Sequence, residues 1–233
     1  MINLILVLSV GIGILIVKLL NSGQNKKNIK LLLSFSGAYL FAISVLHLIP
    51  EIYEGNDHHI GLFILIGFFA QIVLEFFSKG IEHGHGHLHK GSIPITMLMS
   101  LCLHAFLEGI PLGSESQHHA HHDHNIESVL LAGIALHKIP VSIVLFTLFR
   151  GAGLSNTRSY LLMFFFAIMT PLGNYVGTIG SDFYNREIMG IVVGIFLHIS
   201  TTILFESSEG HRFNIMKLIS IIAGTLVAWF GLH

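Results

Sequence analysis

His104 and Glu108 stand four residues apart within an apolar stretch, and they are the first residues to suggest chemistry. On an α-helix this spacing puts imidazole and carboxylate on one face, one turn from each other. Together they make half of a divalent-metal site. His137, in the next apolar stretch, offers a third ligand. Two nitrogens and a carboxylate suit zinc and also accept iron, manganese or cobalt, with a fourth position left to water or another helix. Lys138 follows directly, and prolines stand three residues after Glu108 and His137, at Pro111 and Pro140. Each proline removes a backbone hydrogen bond and kinks its helix, freeing a carbonyl beside the polar cluster. An ionisable group inside a membrane helix costs roughly 3 kcal/mol on insertion scales, so four in two adjacent spans point to function. The bland alternative is a buried hydrogen-bonded knot that pins two helices together.

Other polar residues are less decisive. His47 and Glu51 repeat the four-residue spacing near one end of an apolar stretch, as an outer vestibule for metal or a solvated helix end. His198 is either a satisfied core histidine or an auxiliary ligand, and Glu75 either pairs with it or faces a cavity. Two dense tracts, His83, His85, His87 and His89, then His118, His119, His121, His122 and His124, read as labile metal-binding loops over 82–90 and 115–126. Cys102 is the single cysteine, which excludes an internal disulfide and a cysteine-rich zinc module.

The elements that must position these residues follow from composition. Of 233 residues, 52% are hydrophobic and 11% charged, with a mean hydropathy of +0.74, so the chain belongs in a lipid bilayer. A net charge of -1 offers no basic surface for nucleic acid. About 20 apolar residues cross the hydrocarbon core, and windows of that length predict spans near 2–20, 31–52, 60–80, 93–113, 127–150, 157–180, 188–206 and 214–232. The first has no basic leader or small-residue cleavage site and is read as a helix. The expectation is an all-α integral membrane protein, an eight-helix bundle forming a single transmembrane domain over 1–233.

With both termini outside the cytoplasm, the inner connections hold Lys18, Lys26, Lys27, Lys30, Lys79, Lys90, Arg150, Arg158, Arg212 and Lys217, against Arg186 outside. That bias follows the positive-inside rule. It puts the first histidine tract inside and the second outside. Gly11 with Gly13, and Gly173 with Gly177, are small-residue spacings that let helices approach closely.

The segments HAFLEGIPLG (His104 to Gly113) and HKIPVSIVL (His137 to Leu145) resemble the fourth- and fifth-helix motifs of the ZIP (Zrt-, Irt-like) metal transporters, HNxxDGxxxG or HNxxEG and HExPHE. HLIPE in the second span and GIFLHISTTILFE in the seventh are similar to the family's HLxPE and GTFLYVxxxE. The resemblance implies a carrier of zinc, or of Fe2+, Mn2+ or Cd2+, towards the cytoplasm, with no organic cofactor. It also implies a site between the fourth and fifth helices, often holding two metals, with His104, Glu108 and His137 as primary ligands. Ala105, Lys138 and Val141 depart from the family's usual Asn, acid and His or Glu. Lys138 would repel a second cation and could pair with Glu108 in the empty site, so one metal is expected, in a divergent HKxP branch.

The expected partners are divalent metal ions and the lipid bilayer, with a homodimer allowed, and the expected location is a bacterial cytoplasmic membrane. A cation diffusion facilitator would have six spans and a soluble domain. An intramembrane zinc-dependent hydrolase could use the same three ligands, yet there is no HExxH signature. A metal sensor without transport is the other alternative.

Overall fold

A computed structural model describes residues 1–19, 26–53, 59–78, 81, 95–118, 124–180, 185–206 and 215–231. Among these residues the chain forms eight long helices and no strand. They are α1 (Ile2–Leu19), α2 (Lys27–Tyr53), α3 (Ile60–Ser78), α4 (Ile95–His118), α5 (His124–Gly151), α6 (Asn156–Gly180), α7 (Asn185–Glu206) and α8 (Ile215–Gly231). Seven are long and apolar enough to cross a membrane. The eighth, α8, is apolar with 17 residues, at the lower limit for a span. Helices are required here because every backbone polar group in hydrocarbon must be satisfied within its own segment.

Burial separates the helices by role. Only 17% of the apolar window of α3 is buried, against 67% for α5, so α3 turns a broad face to lipid while α5 is wrapped by protein. On α3 that face carries Leu62, Leu65, Phe69, Ile72 and Phe76. Its opposite side keeps Gln71 fully buried.

The most extensively packed helix pair is α4 on α6. Gly109 and Gly113 of α4 face Gly173 and Gly177 of α6, each set at the four-residue spacing that lays two glycines on one face. A Cβ at Gly109 would run into the Thr170 carbonyl oxygen, and one at Gly173 into that of Phe106. The Thr170 hydroxyl donates to the Ala105 carbonyl at 2.8 Å, tying the two backbones where they are nearest. In a bilayer such close packing and interhelical hydrogen bonding supply what hydrophobic burial supplies in water. Gly67 and Gly194 bring α3 and α7 together in the same way, and Gly13 seats α1 against Ser142 of α5. Gly11, expected to share that role, would meet nothing within 4 Å. It lies on the exposed side of α1.

Local signals also explain where the helices bend or end. The second helix contains a π-turn at Ser44–Leu48, closed by the Ile49 N–H donating to the Ser44 carbonyl. Pro50 follows, and its missing N–H leaves the carbonyl four residues back without an α-helical donor. Such single π-turns are common at functional positions, and this one carries His47. Between α5 and α6 the chain reverses at Gly153, whose φ of +83° favours glycine. The Ser155 hydroxyl then accepts from the Arg158 N–H at 3.4 Å, capping the start of α6.

Two boundaries differ from expectation. The α4 helix runs to His118 and α5 begins at His124, so the second histidine tract is bounded by helical ends instead of filling an open loop over 115–126. The polar residues there do not oppose a helix once it leaves hydrocarbon, since water can satisfy its last carbonyls. Both helices run through their prolines, Pro111 and Pro140.

The glycine crossing yields a direct test. Gly173→Ala should lower stability by about 1–3 kcal/mol through overpacking against Phe106, read as thermal unfolding in detergent. Gly11→Ala should be neutral or slightly stabilising, because alanine favours the helix and meets no neighbour.

Candidate metal site

One turn of α4 projects His104 and Glu108 to the same side, and the glycine crossing with α6 begins at the next residue, Gly109. The fifth helix presents His137 and Lys138 to the same carboxylate. All four side chains are essentially sealed from solvent. Glu108 divides its two oxygens between them. Oε1 lies 2.9 Å from His104 Nε2 and 3.9 Å from His137 Nε2, whereas Oε2 accepts a hydrogen bond from Lys138 Nζ at 2.9 Å. The imidazole rings stand edge to face with centroids 6.4 Å apart.

His104, Glu108 and His137 are the one group of three or more potential metal ligands among the described residues, with ligand atoms all within 4.8 Å of one another. Donors around a single tetrahedral zinc lie about 3.3 Å apart, given bonds near 2.0 Å. The observed separations of 2.9 and 3.9 Å straddle that value, so small side-chain rotations would admit one ion. Lys138 also lies over the Phe166 ring, 5.0 Å from its centroid. Ala105 and Val141 are buried in the apolar cluster that contains Phe166, so neither contributes a ligand.

A residue not foreseen from sequence joins this cluster. Gln71 of α3 is fully buried, with its Oε1 3.2 Å from His104 Nδ1. The available signal was a neutral amide inside an otherwise apolar helix, one turn before Glu75.

The remaining candidates form separate pairs. His47 and Glu51 approach to 3.6 Å and are partly exposed, with 23% and 30% of their side chains accessible. The exposure lies on the rest of the two side chains, because His47 Nε2 and Glu51 Oε2 are themselves buried. His198 of α7 bonds to Glu75 of α3 through its Nε2, and its ring meets Phe68 edge to face at 4.9 Å. Of the histidine tracts, His83, His85, His87, His89, His119, His121 and His122 lie outside the described residues. His118 and His124 are described only as helix backbone.

Breaking a buried ion pair from one side strands a charge, which costs about 3–5 kcal/mol. Lys138→Met should therefore destabilise the metal-free protein by about that amount in detergent unfolding. The double variant Glu108→Gln, Lys138→Met should recover much of the loss. Additive losses would show that the two groups are not coupled.

Comparison with known proteins places this arrangement in context. The family described as ZIP Zinc transporter matches residues 83–230, more than half of the chain, and that stretch includes His104, Glu108, Gly109, His137 and His198. Zinc transporter SLC39A7 of Mus musculus is 32% identical over 88 residues, covering 30% of this chain and 18% of that protein. Protein zntD of Dictyostelium discoideum is 26% identical over 163 residues, covering 58% of this chain and 22% of its own length. The chain thus spans about a fifth of the length of the curated relatives it matches. The family is one of transporters and not of enzymes. With its apolar helices and the matched segment taken together, this chain belongs to the ZIP zinc transporter family and is a multi-pass integral membrane protein.

Proposed function

We propose that this chain is a single transmembrane domain that moves divalent metal, zinc first, across the membrane towards the cytoplasm through one metal site between α4 and α5. The supporting observation is the division of labour at Glu108, with Oε1 turned to two imidazoles and Oε2 held by an ammonium group. Zinc enters between His104 Nε2, Glu108 Oε1 and His137 Nε2. Lys138 keeps the other oxygen and occupies the place where a second cation would need an anionic ligand.

The charge balance favours passage over storage. In the empty site the Glu108 carboxylate and Lys138 ammonium offset each other across 2.9 Å. An arriving dication is held by two neutral imidazoles and one carboxylate already shared with lysine. Such a site binds more weakly than one with several free carboxylates, and transport needs binding that permits release.

Both termini face away from the cytoplasm in this reading, which rests on the ten-to-one distribution of Lys and Arg among the connections. His47 and Glu51, partly exposed at the π-turn, form the outer vestibule. Two helix groups rock about the central site and expose it alternately to each side. The fourth helix moves together with α6, because their glycine crossing leaves no room for sliding. The inner histidine tract receives released metal.

Purified protein in liposomes should take up zinc, and His104→Ala and Glu108→Ala should each abolish uptake while the protein still inserts. Normal uptake in either variant would rule out the site, and zinc binding without flux in the wild type would make the protein a sensor. Uptake at subsaturating zinc should also fall on acidification, because protons compete with metal for the histidine nitrogens. An unchanged profile at subsaturating zinc, where proton competition is strongest, would count against histidine ligation.

A further inference from the structure

We propose that Gln71 of α3 positions His104 for metal binding and, being neutral, keeps the site weak enough to release its ion. This rests on the reading of His104, Glu108 and His137 as the metal site. Gln71 is fully buried and His104 is 1% exposed. The Gln71 Oε1 lies 3.2 Å from His104 Nδ1, across the interface between α3 and α4. A carbonyl oxygen only accepts, so Nδ1 carries a ring proton, and in the neutral ring the lone pair then resides on Nε2.

That nitrogen is the one 2.9 Å from Glu108 Oε1. In this tautomer Nε2 and Oε1 face each other across 2.9 Å as two acceptors, so the pair holds a cation between them, a proton on Nε2 or the metal that displaces it. Gln71 thus prepares the imidazole for a metal before one arrives. Metal-bound histidines generally donate their other ring N–H to an acceptor in this way, which fixes tautomer and ring orientation.

The choice of an amide has its own consequence. One turn along the same helix, Glu75 provides a carboxylate acceptor to His198 of α7, so α3 carries an acid where it meets a different helix. At position 71 an acid would pull harder on the Nδ1 proton, increase electron density on Nε2 and add a negative charge beside an arriving dication. The amide supplies the orientation without that charge. With Lys138 already engaging Glu108, the site keeps a single carboxylate partly neutralised.

The test compares Gln71→Leu with Gln71→Glu in full-length protein purified in detergent. Zinc affinity is measured for the site that disappears in the His104→Ala, Glu108→Ala variant, so that loop histidines do not contribute. Gln71→Leu should weaken that site 10- to 100-fold. In 15N-histidine NMR, with the His104 signals assigned by their loss in His104→Gln, the wild-type ring should be protonated at Nδ1 and the Leu variant should show a mixture of tautomers. Gln71→Glu should bind at least 10-fold tighter and transport more slowly at saturating zinc. If Gln71→Leu does not fold, the Glu variant decides, since an acid of the same length keeps the acceptor. Wild-type affinity in both variants, or a wild-type His104 protonated at Nε2, would overturn the proposal. Binding and ring signals are read without flux, so a wild type that does not transport would defeat the transport reading and leave this result standing.

Discussion

The buried pair between Lys138 and Glu108 is the constraint on which the rest of the site depends. A carboxylate sealed inside a bilayer protein is tolerable only with a close counter-charge and hydrogen bonds to its oxygens. Lysine supplies both at 2.9 Å, and in doing so it commits one carboxylate oxygen and leaves the other to the imidazoles. Glu108 is therefore held in one orientation, with Oε1 turned to His104 and His137. An uncommitted carboxylate would have to turn and desolvate on each arrival.

Backbone packing is arranged to hold that geometry. Glu108 is followed by Gly109, the first of two glycines with which α4 lies against α6, so the turn that carries Glu108 leads directly into a close helix crossing. On the opposite side of the cluster, Lys138 packs over Phe166 of α6, which belongs to an apolar group with Ala105 and Val141. The same helix thus clamps α4 by its glycines and supports α5 by an aromatic ring. Gln71 reaches in from α3, which otherwise faces lipid, and that single inward amide links the peripheral helix to the site.

Much of this was legible in the amino-acid sequence because membrane helices obey few and strong rules. Apolar length gave the eight helices, and four-residue spacing placed His104 and Glu108 on one face. Contacts across helices were harder to see. Nothing in the spacing of Gly109 and Gly113 says that they meet Gly173 and Gly177, because helix pairing depends on tertiary packing and not on local pattern. Gly11 and Gly13 looked equivalent in sequence, yet a two-residue step turns them some 200° apart on a helix, so only Gly13 faces α5. Gln71 escaped notice for a related reason. A neutral amide carries no charge to flag it, and its partner lies 33 residues away on another helix. The π-turn at Ser44–Leu48 was hidden too, although Pro50 was in view.

In the proposed site a lysine takes the place of a second metal beside a shared carboxylate. Crystals grown with zinc and measured at the zinc absorption edge test it most directly. One anomalous peak is expected between α4 and α5, bonded by His104, Glu108 and His137, with Lys138 still on the other Glu108 oxygen, and a second peak only in Lys138→Glu. Two adjacent peaks in the wild-type protein, with Lys138 displaced from Glu108, would contradict it.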